Sequence, residues 1–303
     1  MKTLEHLKQL ADHLPMPVRR SIQGIPDARR ERLQEIRLRA GRPVAVNEAG
    51  RIGLLTAAGE LTNDPDAALR TTTAELDRCF QSVMNWSVYS HEHDVAEGFV
   101  TLRGGCRVGL AGTAAHQGRG VQGIRQISSL CFRIAGEWPG AAARVWNETG
   151  GAGGILVVGP VGSGKTSYLR DLCRLSGNAR PTALVDERGE IGAVWRGVPQ
   201  NDVGIMTDVL DGYPRAEGIV QALRVLAPTT LVCDEIATDA DADAILLAAG
   251  CGVRMLASAH AGSIEELLHR RVLAPLLEAD VFRWAVLLGG SGRVQTVRRL
   301  RPA

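Results

Sequence analysis

GILVVGPVGSGKTSYLRD, residues 154–171, is the stretch that decides the fold. Its apolar run at 155–158 is typical of a buried strand, and a helical pattern follows at 167–175. The residues between them, 159–166, fit the pattern G-x-x-x-x-G-K-[ST]. A strand, a glycine-rich turn and a helix in this order predict a phosphate-binding P-loop, whereas the dinucleotide pattern G-x-G-x-x-G does not fit GPVGSG.

The residue types of this loop suit the phosphates of a nucleotide. Glycine lets backbone N–H groups turn toward phosphate oxygens, and the N-terminus of the next helix adds positive charge. The chain has three lysines, Lys2, Lys8 and Lys165, and otherwise uses arginine. A compact ammonium fits a phosphate cradle better than a planar guanidinium, so Lys165 is expected on the β- and γ-phosphates and Thr166 on Mg²⁺. The expected nucleotide-binding residues are Gly159, Pro160, Val161, Gly162, Ser163, Gly164, Lys165, Thr166 and Ser167.

Three polar segments end further apolar runs of the second half. Asp234 and Glu235 follow the run LVC, and downstream of a P-loop this predicts that Asp234 holds the Mg²⁺ shell while Glu235 polarises water. VDERGE (185–190) is either part of the same site or a charged solvated loop. The position at a strand end favours the site, because ligands of open parallel sheets bind beyond the carboxyl ends of the strands. His260 ends the run MLASAH and is either structural or a sensor of the γ-phosphate.

The two halves of the chain differ in their apolar patterns. Residues 1–137 are expected to form an α+β domain with strands at 35–46 around a turn at 41–43, a helix over 72–88 capped by Thr72 or Thr73, a hairpin at 98–115 and a strand at 129–135. In residues 138–303 the runs ILVVG, TALVD, TLVCDE and VRMLASAH alternate with helical segments. That alternation predicts an α/β domain with a mainly parallel sheet and crossover helices.

Composition argues against several classes of protein. The formal net charge of +2 and the aromatic content of 4% argue against a nucleic-acid-binding surface. Six scattered cysteines without C-x-x-C spacing argue against a zinc site or a redox dithiol, and Cys233 is expected in the core. The first residues lack the apolar core of a signal peptide, and no apolar run approaches the roughly 20 residues of a membrane span. A cytoplasmic protein is expected, with any membrane contact peripheral.

The segments in this order resemble the P-loop ATPases of type II and type IV secretion, which have a Walker A loop, an acidic box, a Walker B strand and a histidine box. The chain is more similar to the stage III sporulation protein AA family, from about Glu35 onward. The segments that carry this resemblance are HEHDVAEGFVTLRGGCRVGLAG (91–112), ISSLCFRIA (127–135), VDERGEI (185–191), DVLDGYPRAEGI (208–219), CDEIATDADADAI (233–245) and GVRMLASAHAGSIEEL (252–267).

The resemblance implies a RecA-like P-loop NTPase core preceded by a smaller α+β domain, with ATP and Mg²⁺ bound. It implies a homo-oligomeric ring, a hexamer, that associates peripherally with a membrane-embedded, secretion-like channel between mother cell and forespore, from the mother-cell cytoplasm. Position by position, Lys165 and Thr166 fall in Walker A, Glu187 and Glu190 in the acidic box, Asp234 and Glu235 in Walker B, and His260 in the histidine box. Secretion ATPases usually have glycine where Asp234 stands, so this Walker B is closer to the ordinary form.

The catalytic residues expected from this reading are Lys165, Glu235 and, as a rival base, Glu187. Secretion ATPases also receive arginines from the N-terminal domain of a neighbouring subunit. Arg107, Arg125 and Arg133 lie on glycine-flanked and strand-like stretches before residue 138, and they are either ordinary strand-surface arginines or include at least one that acts in this way. Two other functions remain open. One is a nucleic-acid-dependent RecA-like ATPase, with Arg103, Arg107, Arg119, Arg125 and Arg133 as a local basic face. The other is a nucleotide-gated scaffold with little turnover.

Overall fold

The computed structural model describes residues 2–84, 98–117, 120–136 and 138–300. The chain divides into two compact units, Met1–Glu137 and Trp138–Ala303. Three parts of the sequence predictions lie outside the described residues: residues 85–88 of the predicted helix, the stretch 91–97 and Arg119.

The first unit contains short helices and an antiparallel sheet. Its helices are α1 (Lys2–Ala11), α2 (Met16–Gly24), α3 (Asp27–Arg30) and α4 (Thr73–Val83). Its strands are β1 (Leu33–Arg39), β2 (Arg42–Pro43), β3 (Ala45–Glu48), β4 (Arg51–Leu55), β5 (Leu61–Thr62), β6 (Arg70–Thr71), β7 (Phe99–Thr101), β8 (Arg107–Gln117) and β9 (Gly120–Arg133). Among the described residues, the main sheet has the order β5-β4-β3-β1-β9-β8-β7, and β2 pairs with β6 beside it.

Alternation along these strands separates a buried face from an open one. Ile36 and Leu38 of β1 are fully buried and belong to the same core cluster as the apolar residues of α1, α2 and α4. The predicted start of α4 is confirmed, because the Thr72 hydroxyl accepts the N–H of Glu75 and the Glu75 carboxylate accepts the N–H of Thr72. The hairpin predicted at 98–115 is confirmed as the β7–β8 pair. The strand predicted at 129–135 is the end of the longer β9.

The second unit alternates strands with helices. Its helices are α5 (Ala143–Thr149), α6 (Lys165–Ala179), α7 (Arg215–Val225), α8 (Asp239–Gly250), α9 (Ile264–Leu268) and α10 (Ala274–Glu278), with single 3₁₀ turns at Arg271–Leu273 and Gly290–Gly292. Its strands are β10 (Gly154–Gly159), β11 (Thr182–Asp186), β12 (Val194–Trp195), β13 (Val198–Pro199), β14 (Thr207–Asp211), β15 (Thr230–Cys233), β16 (Arg254–His260), β17 (Phe282–Leu288) and β18 (Val294–Arg299).

The main sheet of this unit has the order β14-β11-β15-β16-β10-β17-β18 among the described residues. All neighbours are parallel except β17 and β18. Along β10, Leu156 and Val158 belong to one core cluster, and Ile155 and Val157 belong to another. Both faces of the sheet are therefore covered, which is why the central strands read as unbroken apolar runs. Cys233 is fully buried, as expected.

The four predicted strands of the second unit are confirmed, and the sheet has further members. The predictions place no strand at β14, an outer strand whose residues are mostly half-exposed or exposed, so its charged residues interrupt the apolar pattern. They also place none at β17 or β18. In the described part of the chain, no helix is long and apolar enough to cross a membrane.

Candidate nucleotide site

The loop between β10 and α6 is shaped by its glycines. Gly162 and Gly164 have φ angles of +74° and +89°, which residues with a Cβ rarely adopt. The N–H of Gly292 donates to the carbonyl of Ser163 at 3.0 Å, and a Cβ on Gly164 would lie 3.1 Å from the Cα of Gly292. The Ser163 hydroxyl is buried and has no hydrogen-bond partner among the described residues. Within the described residues, the loop thus leaves the buried Ser163 hydroxyl without a protein partner.

A cavity of about 350 Å³ opens beside this loop. The carboxyl ends of β11, β15 and β16 meet there, as expected for a parallel sheet. The residues that line it are Val161, Gly162, Gly164, Lys165, Thr166, Ser167, Asp186, Glu187, Arg188, Glu190, Arg215, Asp234, Glu235, Ser258 and His260. Loop, acidic segment, strand-end carboxylates and histidine, predicted separately, therefore share one cavity.

Lys165 is turned toward its own loop. Its ammonium donates to the carbonyls of Gly159 and Pro160, at 3.0 and 2.9 Å, and lies 3.0 Å from Nδ1 of His260. Burial lowers the pKa of Lys165 below its ordinary value, while the charges of Asp234 and Glu235 act in the opposite direction. The ammonium is therefore held at the bottom of the loop by groups that a phosphate could replace.

His260 connects two of the predicted catalytic residues. Because the ammonium of Lys165 can only donate, Nδ1 of His260 must accept, and the ring proton of the neutral form then sits on Nε2. Nε2 lies 3.2 Å from Oε1 of Glu235. The other oxygen of Glu235, Oε2, lies 3.5 Å from the guanidinium of Arg188.

Asp234 and Thr166 offer the oxygen atoms that a magnesium ion would use. The Thr166 hydroxyl, at the start of α6, donates to Oδ2 of Asp234 at 2.8 Å. Both residues line the cavity next to the loop, and hydroxyl and carboxylate oxygens suit a hard cation that also binds phosphate. The donor set fits the predicted Mg²⁺.

The acidic segment after β11 is more constrained than its sequence indicates. Asp186 is 2% exposed and accepts the N–H groups of Glu190, Ile191 and Gly192, at 2.9, 3.1 and 2.7 Å. Burial raises the pKa of Asp186, and these N–H groups oppose the shift. Asp186 therefore shapes the turn that carries the other carboxylates of the segment.

Glu187 is engaged by a buried arginine. The guanidinium of Arg215 lies 2.7 Å from Glu187 and 2.9 Å from Asp241, and the side chains of Arg215 and Asp241 are 9% and 6% exposed. Asp241 also accepts the N–H groups of Ala237 and Thr238 at the start of α8. Sequence reasoning named Glu187 and Glu190 but missed Asp186, Arg215 and Ser258.

Arg107, Arg125 and Arg133, of which at least one is expected to act on a neighbouring subunit, lie in the first unit. Arg107 on β8 is opposite Arg133 on β9, and its guanidinium stacks 3.7 Å from the ring centre of Phe99. Arg125 and Arg133 are exposed. Their role in another subunit stays a prediction.

The parallel sheet, the loop after its β10 strand and the preceding α+β unit define a protein with the RecA-like ATPase fold, as predicted. Solved structures with this fold are similar. The ATPase DotB of Legionella pneumophila is 16% identical with a TM-score of 0.53, over 90% of this chain and 77% of DotB. The pilus retraction motor PilT with bound ADP is 18% identical with a TM-score of 0.58, over 88% of this chain and 77% of PilT.

The chain belongs to the family described as sporulation stage III, protein AA, whose model matches residues 5–301. Stage III sporulation protein AA of Bacillus subtilis (strain 168) is 35% identical over 290 residues, which are 91% of this chain and 89% of the relative. The resemblance seen in the sequence is thereby confirmed.

Proposed function

We propose that this chain is an ATPase that hydrolyses ATP to ADP and phosphate with Mg²⁺ and works as a motor. The observation that carries the proposal is the hydrogen bond from Thr166 to Asp234, with Glu235 beside it, in the cavity next to the loop 159–164. The Thr166 hydroxyl and the carboxylates of Asp234 and Glu235 thus lie together where the loop would hold a terminal phosphate, and Asp234 would bind the metal ion.

Nucleotide binding would use backbone N–H groups of α6 and the ammonium of Lys165, whose present partners phosphate oxygens could replace. The first turn of α6 leaves N–H groups without intrahelical partners, and they carry the positive end of the helix dipole. Lys165 would exchange the carbonyls of Gly159 and Pro160 for phosphate oxygens. Mg²⁺ held through Thr166 and Asp234 would supply charge neutralisation of the phosphates.

Glu235 is the better candidate for the base that takes a proton from the attacking water. Its carboxylate faces His260 and Arg188 at 3.2 and 3.5 Å. Glu187, the rival, is held at 2.7 Å by Arg215, which is itself tied to Asp241. The guanidinium of Arg215 already holds Glu187 at the shorter distance, which is why Glu235 is proposed as the base.

The motor is proposed to serve sporulation. Membership of a sporulation family and the fold shared with DotB and PilT support an ATPase, acting as a hexameric ring, that energises a secretion-like channel in the membranes between mother cell and forespore. The chain would act from the mother-cell cytoplasm and reach the membrane through its partners.

The test is phosphate release by the purified chain with ATP and Mg²⁺. We expect the wild type to release phosphate and Lys165→Ala to release none. The wild type should also form a larger particle when ATP is present. Absence of turnover in the wild type, in the presence of nucleotide binding, would favour the nucleotide-gated scaffold. A rate that rises on adding DNA or RNA would favour the nucleic-acid-dependent ATPase.

A further inference from the structure

The backbone of Glu235 adopts a left-handed conformation. Its φ is +42°, although it carries a full side chain. Such conformations are uncommon for residues with a Cβ and persist where the surroundings hold them. The groups that hold Glu235 therefore bear on where its carboxylate lies.

Ser258 of the neighbouring strand β16 holds this backbone. The N–H of Glu235 donates to the Ser258 hydroxyl at 3.0 Å, and the N–H of Ile236 donates to the Ser258 carbonyl at 2.9 Å. The β15–β16 register ends with Cys233 opposite Ala257. The chain thus leaves β15 directly over Ser258.

The same hydroxyl orients Asp234. Because the carboxylate has no proton to give, the Ser258 hydroxyl donates to Oδ1 of Asp234. Oδ2 of Asp234 accepts the Thr166 hydroxyl. Each oxygen of Asp234 is thus fixed by a hydroxyl, one from the helix after the loop and one from the adjacent strand. Ser258 is fully buried, so bulk water does not compete for these bonds.

We propose that Ser258 is a positioning residue whose hydroxyl orients the Asp234 carboxylate and holds the Glu235 backbone for hydrolysis. The inference rests on the proposed ATPase function. Without the hydroxyl, Oδ1 of Asp234 and the N–H of Glu235 keep their bond to each other, at 3.0 Å, but lose the partner that ties both of them to β16. The Asp234 carboxylate and the Glu235 backbone are then held less firmly, while the loop and Lys165 that would hold the phosphates keep their contacts.

The test compares full-length Ser258→Ala, Ser258→Cys and Ser258→Thr. The thiol of cysteine fills the space of the hydroxyl with a larger atom and is a weak hydrogen-bond donor, whereas threonine restores the hydroxyl. The matched control is Ser176→Ala, because Ser176 is also fully buried and its hydroxyl bonds the Thr182 hydroxyl at 2.9 Å. The measurements are kcat and KM for ATP, thermal unfolding, and the affinity for a fluorescent ATP analogue with Mg²⁺ and with EDTA.

We expect kcat to fall roughly 10- to 100-fold in the alanine and cysteine variants, the range for a lost hydrogen bond to a charged group. Their affinity in EDTA should stay unchanged, and the gain in affinity on adding Mg²⁺ should shrink. The threonine variant should recover most of the turnover, and Ser176→Ala should lose stability without losing kcat.

Two results would overturn the inference: wild-type kcat in folded Ser258→Ala or Ser258→Cys, or an equal loss of kcat in Ser176→Ala. If the wild type binds nucleotide without hydrolysing it, the proposed function fails instead. The inference is then decided by the increase in nucleotide affinity on adding Mg²⁺. An equal increase in wild type and Ser258→Ala overturns it, and a smaller increase in Ser258→Ala supports it.

Discussion

Nζ of Lys165 lies 3.0 Å from Nδ1 of His260. The other ring nitrogen of His260 lies 3.2 Å from Glu235. The imidazole therefore contacts both Lys165, which is expected to bind the phosphates, and Glu235, which is expected to activate water. A phosphate that draws Lys165 away releases Nδ1. Binding of the proposed nucleotide is therefore expected to change the contact between His260 and Glu235.

Lys165→Ala should weaken binding of an ATP analogue by about 10- to 100-fold, because the phosphates lose a charge-assisted donor. Lys165→Arg should not restore the affinity, since the guanidinium is planar and bulkier. Equilibrium titration measures both, with the exposed Lys8→Ala as the matched control. Wild-type affinity in Lys165→Ala would contradict the assignment of the loop as a phosphate-binding site.

Glu235→Gln should keep nucleotide affinity and lower turnover by about 10²- to 10⁴-fold, the range for loss of a general base. Glu187→Gln should lower turnover less, because Glu187 is already bound to Arg215. Phosphate-release rates and affinities measured in parallel rank the two carboxylates. A larger loss of turnover in Glu187→Gln would reverse the assignment.

Arg215→Ala should destabilise the second unit by about 3 kcal/mol, because it leaves buried Asp241 without its cation. Arg215→Lys should recover part of the loss, since one ammonium does not bridge two carboxylates as a forked guanidinium does. Urea unfolding measures the difference. The exposed ion pair of Arg144 with Glu148 supplies the control, since Arg144→Ala should have little effect.

The Asp241 carboxyl should make stability depend on acid. Burial acts to raise its pKa, but the N–H groups of Thr238 and Ala237 and the charge of Arg215 outweigh it, so the pKa is lowered from its ordinary 3.8. A lowered folded-state pKa contributes stability above that ordinary value, and the contribution is lost as pH falls through the folded-state pKa. Melting temperatures between neutral pH and pH 3 should therefore fall more steeply for wild type than for Asp241→Asn. Parallel curves would show that this carboxyl is not the source.

One of Arg107, Arg125 and Arg133 is predicted to serve the site of a neighbouring subunit. Its alanine variant should bind nucleotide normally and turn over slowly, because a transition-state cation is missing. Mixing it with Lys165→Ala should restore part of the activity, since each chain supplies what the other lacks. Arg51→Ala, an exposed arginine of the same unit, is the control. Full turnover by the isolated residues 138–303 at equal concentration would refute the idea.

Local pattern predicted the loop, four parallel strands and the strand-end carboxylates, because each depends on neighbours in sequence. It did not reveal Ser258, whose contacts with Asp234 and Glu235 depend on the register between β15 and β16. Nor did it separate Asp186 from Glu187, because the turn after β11, with Gly189 at φ +61°, decides which carboxylate points inward. Arg215 was missed because its two partners are distant in sequence: Glu187 is 28 residues away (215 − 187) and Asp241 is 26 residues away (241 − 215).

The position of β10 has a consequence for synthesis on the ribosome. It is the first strand of the second unit to be made, yet its hydrogen-bonded neighbours are β16 and β17, and the backbone group that fixes the carbonyl of Ser163 belongs to Gly292. A nascent chain that stops before these residues emerge holds the GPVGSGKT segment without flanking strands. Such distant pairing closes late during folding, so a prematurely terminated chain lacks the finished loop in which the proposed ATP site would form.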